Sequence, residues 1–263
     1  MQNKNKLYLI ISIVSFLIVL IALLAIGVLL FSYKQSGDDY AQLAQEVRVE
    51  TTAAQSAATE ATEETVPTEP PLVDIPIDFG YLKEQNEDII GWITVDGTHI
   101  DYPVVQGADN MQYVNTSVLG EFSLSGAIFL DSRCAADLSD PYLLLYGHHM
   151  DSGAMFGDVT NFLEQAYFDS HPTGTLTLAD GTVFQMTFFA CVAVDASDPV
   201  IYPPDSGNGL EALLTRIQQT AVQSRELADA PDRVIGLSTC LEAETNGRAV
   251  LFGSLEPANS RAA

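Results

Sequence analysis

Positive charge is scarce in this chain: 11 Lys and Arg stand against 35 Asp and Glu, a formal net charge of −24 over 263 residues. Contact with a nucleic-acid backbone needs clustered Lys and Arg, so nucleic acid is excluded as a partner. The same deficit argues against a second contact with anionic lipid, and acidity for solubility is a sufficient reading. Cysteine is scarce too, with only Cys134, Cys191 and Cys240. Three thiols cannot all pair within one chain, so a free and reactive thiol is expected and no disulfide is needed. The four histidines, His99, His148, His149 and His171, form no Cys/His spacing signature. His148 and His149 are neighbours that diverge on a strand, so no metal is expected there. Acidic residues are absent before position 38, and no A-x-A-like cleavage site follows the apolar run there.

That run is the most pronounced feature present. Residues 7–31 are apolar apart from Tyr8, Ser12, Ser15 and Gly27. At about 1.5 Å per residue, a helix of this length exceeds the roughly 30 Å hydrocarbon core. A signal-peptide apolar region is shorter, about 7–15 residues, so the run reads as an uncleaved single-pass anchor in the cell membrane. Lys4 and Lys6 precede it; Lys34 follows, but Asp38 and Asp39 come at once. The positive-inside bias therefore puts residues 1–6 in the cytoplasm and everything after the anchor outside.

Residues 32–75 read as an extracellular linker. Within it, 38–49 suit a short helix, whereas 50–71 are rich in Thr, Ala, Glu and Pro without large apolar residues, a stalk that cannot build a core. From 76 to 263 the composition is globular and suffices for one sizeable core. Strands are expected at IIGWITV and HIDYPVVQ around the turn Asp96-Gly97, at GAIFLD and YLLLYGHH, and in a hairpin around Asp180-Gly181. RVIGLSTC and GRAVLFGSL supply the last two. Helices are expected at FGYLKEQNED, AMFGDVTNFLEQAYF and GLEALLTRIQQTAVQSREL. Many short strands with few helices indicate a barrel or a sandwich.

The chemistry concentrates at the end of VIGLSTC. Strand alternation puts Ser238 and Cys240 on one face and Ile235, Leu237 and Thr239 on the other. Should the following strand fold back as a hairpin, Arg248 lies opposite Cys240. A guanidinium there favours thiolate over thiol, whose free pKa is about 8.5. It also offers fixed donors to an oxyanion. The plain alternative is an Arg248 paired with a nearby carboxylate such as Glu242 or Glu244. A thiol nucleophile also needs an imidazole. His148 and His149 end an apolar strand, where side chains leave the core, and alternation lets only one of them serve Cys240. Cys191, inside FFACVAV, reads as a small buried hydrophobe.

These residues carry a resemblance. LSTC closing one strand, YGHHM closing another, and NGRAV opening the strand after the cysteine resemble the class B sortases, membrane-anchored cysteine transpeptidases of Gram-positive bacteria. NEDIIGWITVDGTHIDYPVVQGADNMQYV, GAIFLDSR and MFGDV are similar to that class as well, in the right order, across residues 78–255. The resemblance implies a mainly β fold, a closed barrel of about eight strands with flanking helices. It implies Cys240 as nucleophile, His148 as acid/base partner, and Arg248 as the group that stabilises the oxyanion or positions the substrate carbonyl. It aligns Asn110, Tyr146 and Ser238 with positions lining a peptide groove. Tyr202 falls in a wall of that groove. It implies no cofactor and no metal, the calcium pocket belonging to class A. Other members often carry a polar or acidic residue where this chain has Leu241, which leaves the backbone N–H there as its offer to an oxyanion.

The implied reaction is cleavage after Thr of a C-terminal sorting motif in a secreted protein, and transfer of the Thr carboxyl to an amine of peptidoglycan. The alternatives are a class B-like enzyme that joins pilin subunits through a lysine amine, and a non-catalytic wall-facing binding module. The latter leaves His148, Cys240 and Arg248 without a use. A papain-like peptidase places its cysteine at the start of a helix near the mature N-terminus, not at the end of a late strand.

Overall fold

Asp96-Gly97 makes the turn its sequence suggests, with Gly97 at φ 75° between β1 (Ile89–Val95) and β2 (Asp101–Val105). The computed structural model describes residues 2–48, 77–202, 204, 207, 209–242 and 245–258. Seven further strands follow: β3 (Ile128–Leu130), β4 (Tyr142–Tyr146), β5 (Thr173–Leu178), β6 (Val183–Asp195), β7 (Ala221–Ser224), β8 (Val234–Cys240) and β9 (Gly247–Pro257). Eight of them close in the order β5-β1-β2-β3-β4-β8-β9-β6, with β6 pairing back onto β5, so the expected closed barrel is what forms. The β5–β6 pairing closes what would otherwise be two open end strands.

Apolar residues alternate between two cores. Leu143, Leu145, Ile235, Leu237 and Leu251 belong to the main core of the barrel. Tyr142, Leu144, Val234, Val250 and Phe252 face outward into a second core, roofed by Ile201 and by Leu213 and Ile217 of α4 (Gly209–Thr220). β8 is therefore buried on both faces, which explains its nearly continuous apolar run.

Three local expectations are corrected. The helix expected over AMFGDVTNFLEQAYF is two pieces, a 3-10 helix at Gly157–Leu163 and a short helix, α3, at Gln165–Ser170, separated by the extended Glu164. Phe156, Val159 and Phe162 are all fully buried, a spacing of three that matches a 3-10 helix better than an α-helix. The long helix expected after Gly209 stops at Thr220, and Ala221–Ser224 pairs with β6 instead. β5 accompanies β6 only as far as Thr187, and the open edge beyond it takes up the backbone groups of β7.

The third correction concerns residues 38–49. No separate helix forms; α1 runs unbroken from Gln2 to Glu46, through an apolar stretch at Ile10–Val28 of mean hydropathy 3.1 that is long enough to cross a membrane. Its last turns dock on the barrel. Tyr40, Leu43 and Val47 are buried at helical spacing, although they fall in the segment expected to be linker. The Tyr40 hydroxyl donates to Gly126 O (2.8 Å) and accepts from Val118 N–H (3.2 Å), and Arg48 pairs with Asp101. The stalk expected at 50–71 lies outside the described residues. α2 (Phe79–Gln85) then opens under an Asp78 cap that accepts from Tyr81 N–H at 2.9 Å.

Candidate active site

The hairpin between β8 and β9 sets the site. Its register pairs Ser238 with Val250 and Cys240 with Arg248, as the alternation argument required. Cross-strand partners share a face, so thiol and guanidinium stand on the same side of the sheet. Arg248 Nη1 donates to Gly247 O (3.0 Å) and Thr245 O (3.4 Å). Among the described residues no carboxylate pairs with it. Cys240 is partly exposed, whereas Cys134 and Cys191 are buried, and all three are free thiols. Burial pushes Cys134 and Cys191 each up to about 12, which makes them inert.

β4 lies beside β8 in parallel, Tyr146 abreast of Ser238. The contact continues past the strand, since Gly147 N–H donates to Ser238 O (3.1 Å) and Thr239 Oγ1 donates to Gly147 O (2.9 Å). His148 follows Gly147 directly, past the end of β4 and on the side of β8 that leads to Cys240. Gly147 leaves room for its neighbours: a Cβ there would come within 2.5 Å of Ile128 Cδ1 and 2.7 Å of the Phe156 ring. The two histidines diverge. His148 Nε2 sits 2.7 Å from Val114 O, while His149 Nε2 lies 3.5 Å from Asp151.

A cavity of about 480 Å³ adjoins this corner, lined by Asn110, Val114, Phe129, Arg133, Tyr146, Ala196, Tyr202 and Arg248. Three of the expected groove residues, Asn110, Tyr146 and Tyr202, thus meet Arg248 around one space. Ser238 is buried beneath and shares a 2.6 Å hydrogen bond with the Tyr202 hydroxyl. Burial pushes the Tyr202 phenol up to about 12, so it stays protonated. Its ring stacks with that of Tyr146, centroids 6.4 Å apart. The loop carrying Tyr202 is pinned by Asp198, which accepts from Val200 N–H, Ile201 N–H and the Arg216 guanidinium of α4.

Two results differ from the sequence reading. The Leu241 N–H, expected to be available to an oxyanion, donates instead to Gly247 O at 3.0 Å. The hairpin ladder thus continues one residue beyond the cysteine and consumes that donor. Asp131 and Arg133 were given no role by the sequence, although GAIFLDSR contains both. Asp131 is fully buried and Arg133 lines the cavity. The available signal was a carboxylate closing an apolar strand with an arginine two residues on.

A thiol ending a barrel strand opposite a guanidinium fits a cysteine-dependent acyl-transfer enzyme. No protein-family model matches the chain. Sortase B of Listeria monocytogenes is 32% identical over 180 residues, which span 66% of this chain and 72% of that protein. Sortase B of Staphylococcus aureus is 29% identical over 181 residues, 67% of this chain and 74% of that one. Among solved structures, a Streptococcus pyogenes class B sortase involved in pilus biogenesis superposes with a TM-score of 0.63 at 38% identity, covering 68% of this chain and 98% of its own. The Staphylococcus aureus sortase B–substrate complex superposes with a TM-score of 0.70 at 25% identity, covering 87% and 99%. The chain belongs to the class B sortases and is a cysteine transpeptidase.

Proposed function

We propose that this enzyme cuts a C-terminal sorting motif after Thr in secreted proteins and joins the new Thr carboxyl to an amine of peptidoglycan. The register of Cys240 against Arg248 carries this reading. Cys240 attacks the Thr carbonyl as thiolate. The guanidinium of Arg248 takes up the oxyanion charge, a part that falls to it more heavily because the Leu241 N–H is engaged. The peptide C–N bond breaks, and His148 gives its proton to the leaving amine. A thioester to Cys240 remains. An incoming amine attacks it, loses its proton to His148, and the thiolate leaves. Asn110, Tyr146, Ser238 and Tyr202 shape the groove for the motif, and no metal or cofactor enters the cycle.

In the proposed topology residues 1–6 are cytoplasmic, 7–31 span the membrane, 32–75 lead outward with the end of α1 docked on the barrel, and 76–263 form the extracellular catalytic domain. The anchor then holds the site where exported substrates and wall precursors meet. Pilin joining is the second reading, favoured by the 38% identity to a class B sortase involved in pilus biogenesis. The test uses the full chain in detergent with fluorogenic peptides of the NPQTN, NPxTG, SPxTG and LPxTG types. One of them is cleaved after Thr, mass spectrometry finds an acyl adduct on Cys240, and Cys240→Ala forms none. Competing a glycine-bridged stem peptide against a lysine-bearing pilin peptide then separates the two acceptors.

A further inference from the structure

Beneath the cavity lies a carboxylate to which the transpeptidation cycle assigns no part. Asp131 has no exposed surface, yet receives donors from several elements. Arg133 binds it through Nε (2.8 Å) and Nη2 (2.6 Å), and its backbone N–H adds a third contact at 3.0 Å. The Tyr146 hydroxyl donates at 2.9 Å and the Asn110 amide at 2.9 Å. Burial by itself would raise the pKa of Asp131. The Arg133, Tyr146 and Asn110 donors outweigh it and hold the carboxyl below its ordinary value, so the group is anionic at working pH. The partners come from three places, the 110 loop, the end of β4, and the turn after β3. Asn110, Tyr146 and Arg133 all line the cavity.

We infer that Asp131 is a positioning residue for the peptide groove, resting on the functional reading above. An ionised carboxylate only accepts hydrogen bonds. Tyr146 must therefore turn its O–H inward and present oxygen lone pairs to the groove, an acceptor for a substrate N–H. Asn110 must turn its amide nitrogen inward too, and its Oδ1 accepts from Ser132 N–H (2.7 Å), which locks the flip of the amide. One buried charge thus sets the polarity of two groove walls and the place of a guanidinium. Asn at 131 keeps the shape but offers donors of its own, so that order is lost.

The experiment compares the full chain in detergent with Asp131→Asn, Tyr146→Phe and the double variant, on whichever of the four sorting peptides wild type cleaves best. Iodoacetamide alkylation is read in parallel. With Cys134 and Cys191 buried, it reports Cys240. Asp131→Asn is expected to raise KM about tenfold, the scale of losing one hydrogen bond to a charged group, with kcat and alkylation rate nearly unchanged. The double variant should fall short of the product of the two single effects. An unchanged KM in folded Asp131→Asn overturns the inference, and so does a fall in kcat and alkylation rate with KM constant. If Asp131→Asn does not fold, Tyr146→Phe decides alone: a raised KM supports the inference and wild-type KM overturns it. A wild-type chain that cleaves none of the four peptides overturns the functional reading and this inference with it, whereas cleavage by wild type with an unmoved KM in the variant overturns this inference only.

Discussion

Arg248 stands opposite Cys240 by strand register, with one guanidinium nitrogen tied to backbone carbonyls of its own turn. That tether fixes the plane of the fork, which a lysine cannot reproduce although it keeps the charge. Arg248→Lys is expected to lower steady-state turnover about 10²–10³-fold, the usual loss on removing one oxyanion donor, with unchanged circular dichroism. Near wild-type turnover would leave a Cys–His dyad. The histidines make a second contrast. His148 is held by Val114 O beside the cavity, and His149 lies next to the exposed Asp151. His148→Ala should abolish acyl-enzyme formation, while His149→Ala should cost less than tenfold in kcat/KM, on the scale below one proton-transfer group. An equal collapse in both folded variants would undo the assignment of His148. The facing of Cys240 and Arg248 was legible because a period of two decides which residues share a face. Asp131 was not, since its meaning lies in donors from residues 110, 133 and 146 converging on it.

At the scale of elements, the end of α1 departs most from the sequence reading. DDYAQLAQEVRV has the spacing of a helix, but spacing alone does not say that the helix continues out of the apolar span or what it packs on. Its apolar stripe of Tyr40, Leu43 and Val47 lands on the barrel near Gly126 and Val118. Leu43 is 4% exposed, and Leu43→Ala should destabilise the protein by about 2–5 kcal/mol, as for a buried leucine. The check is chemical denaturation followed by fluorescence of Trp92, the single tryptophan, which is buried on β1 and so reports the barrel. A change under about 0.5 kcal/mol would make the docking peripheral to stability. β7 teaches the same lesson. Its residues carry no strong strand signal, and the vacancy beyond Thr187 on β6 decided their state.

For the whole molecule, the distribution of charge and apolar length governs placement. Every acidic residue follows position 37, after an apolar helix of candidate-span length. The proposed topology is checked by adding protease to wall-stripped protoplasts. The catalytic domain should be digested while cytoplasmic markers survive. Protection of the domain would reverse the orientation.

Periodicity and composition were enough for the apolar helix, the strands of the barrel, the facing of Cys240 and Arg248, and the kinship with class B sortases. Each depends on neighbours in sequence or on one hairpin, where local geometry is the whole constraint. Tertiary structure alone decided that α1 docks through Tyr40, Leu43 and Val47, that the Leu241 N–H is spent on Gly247, and that Asp131 gathers donors from Asn110, Arg133 and Tyr146. Those outcomes depend on groups distant along the chain. A buried polar atom takes whichever partner closure of the barrel brings within about 3 Å, and no local pattern encodes that partner.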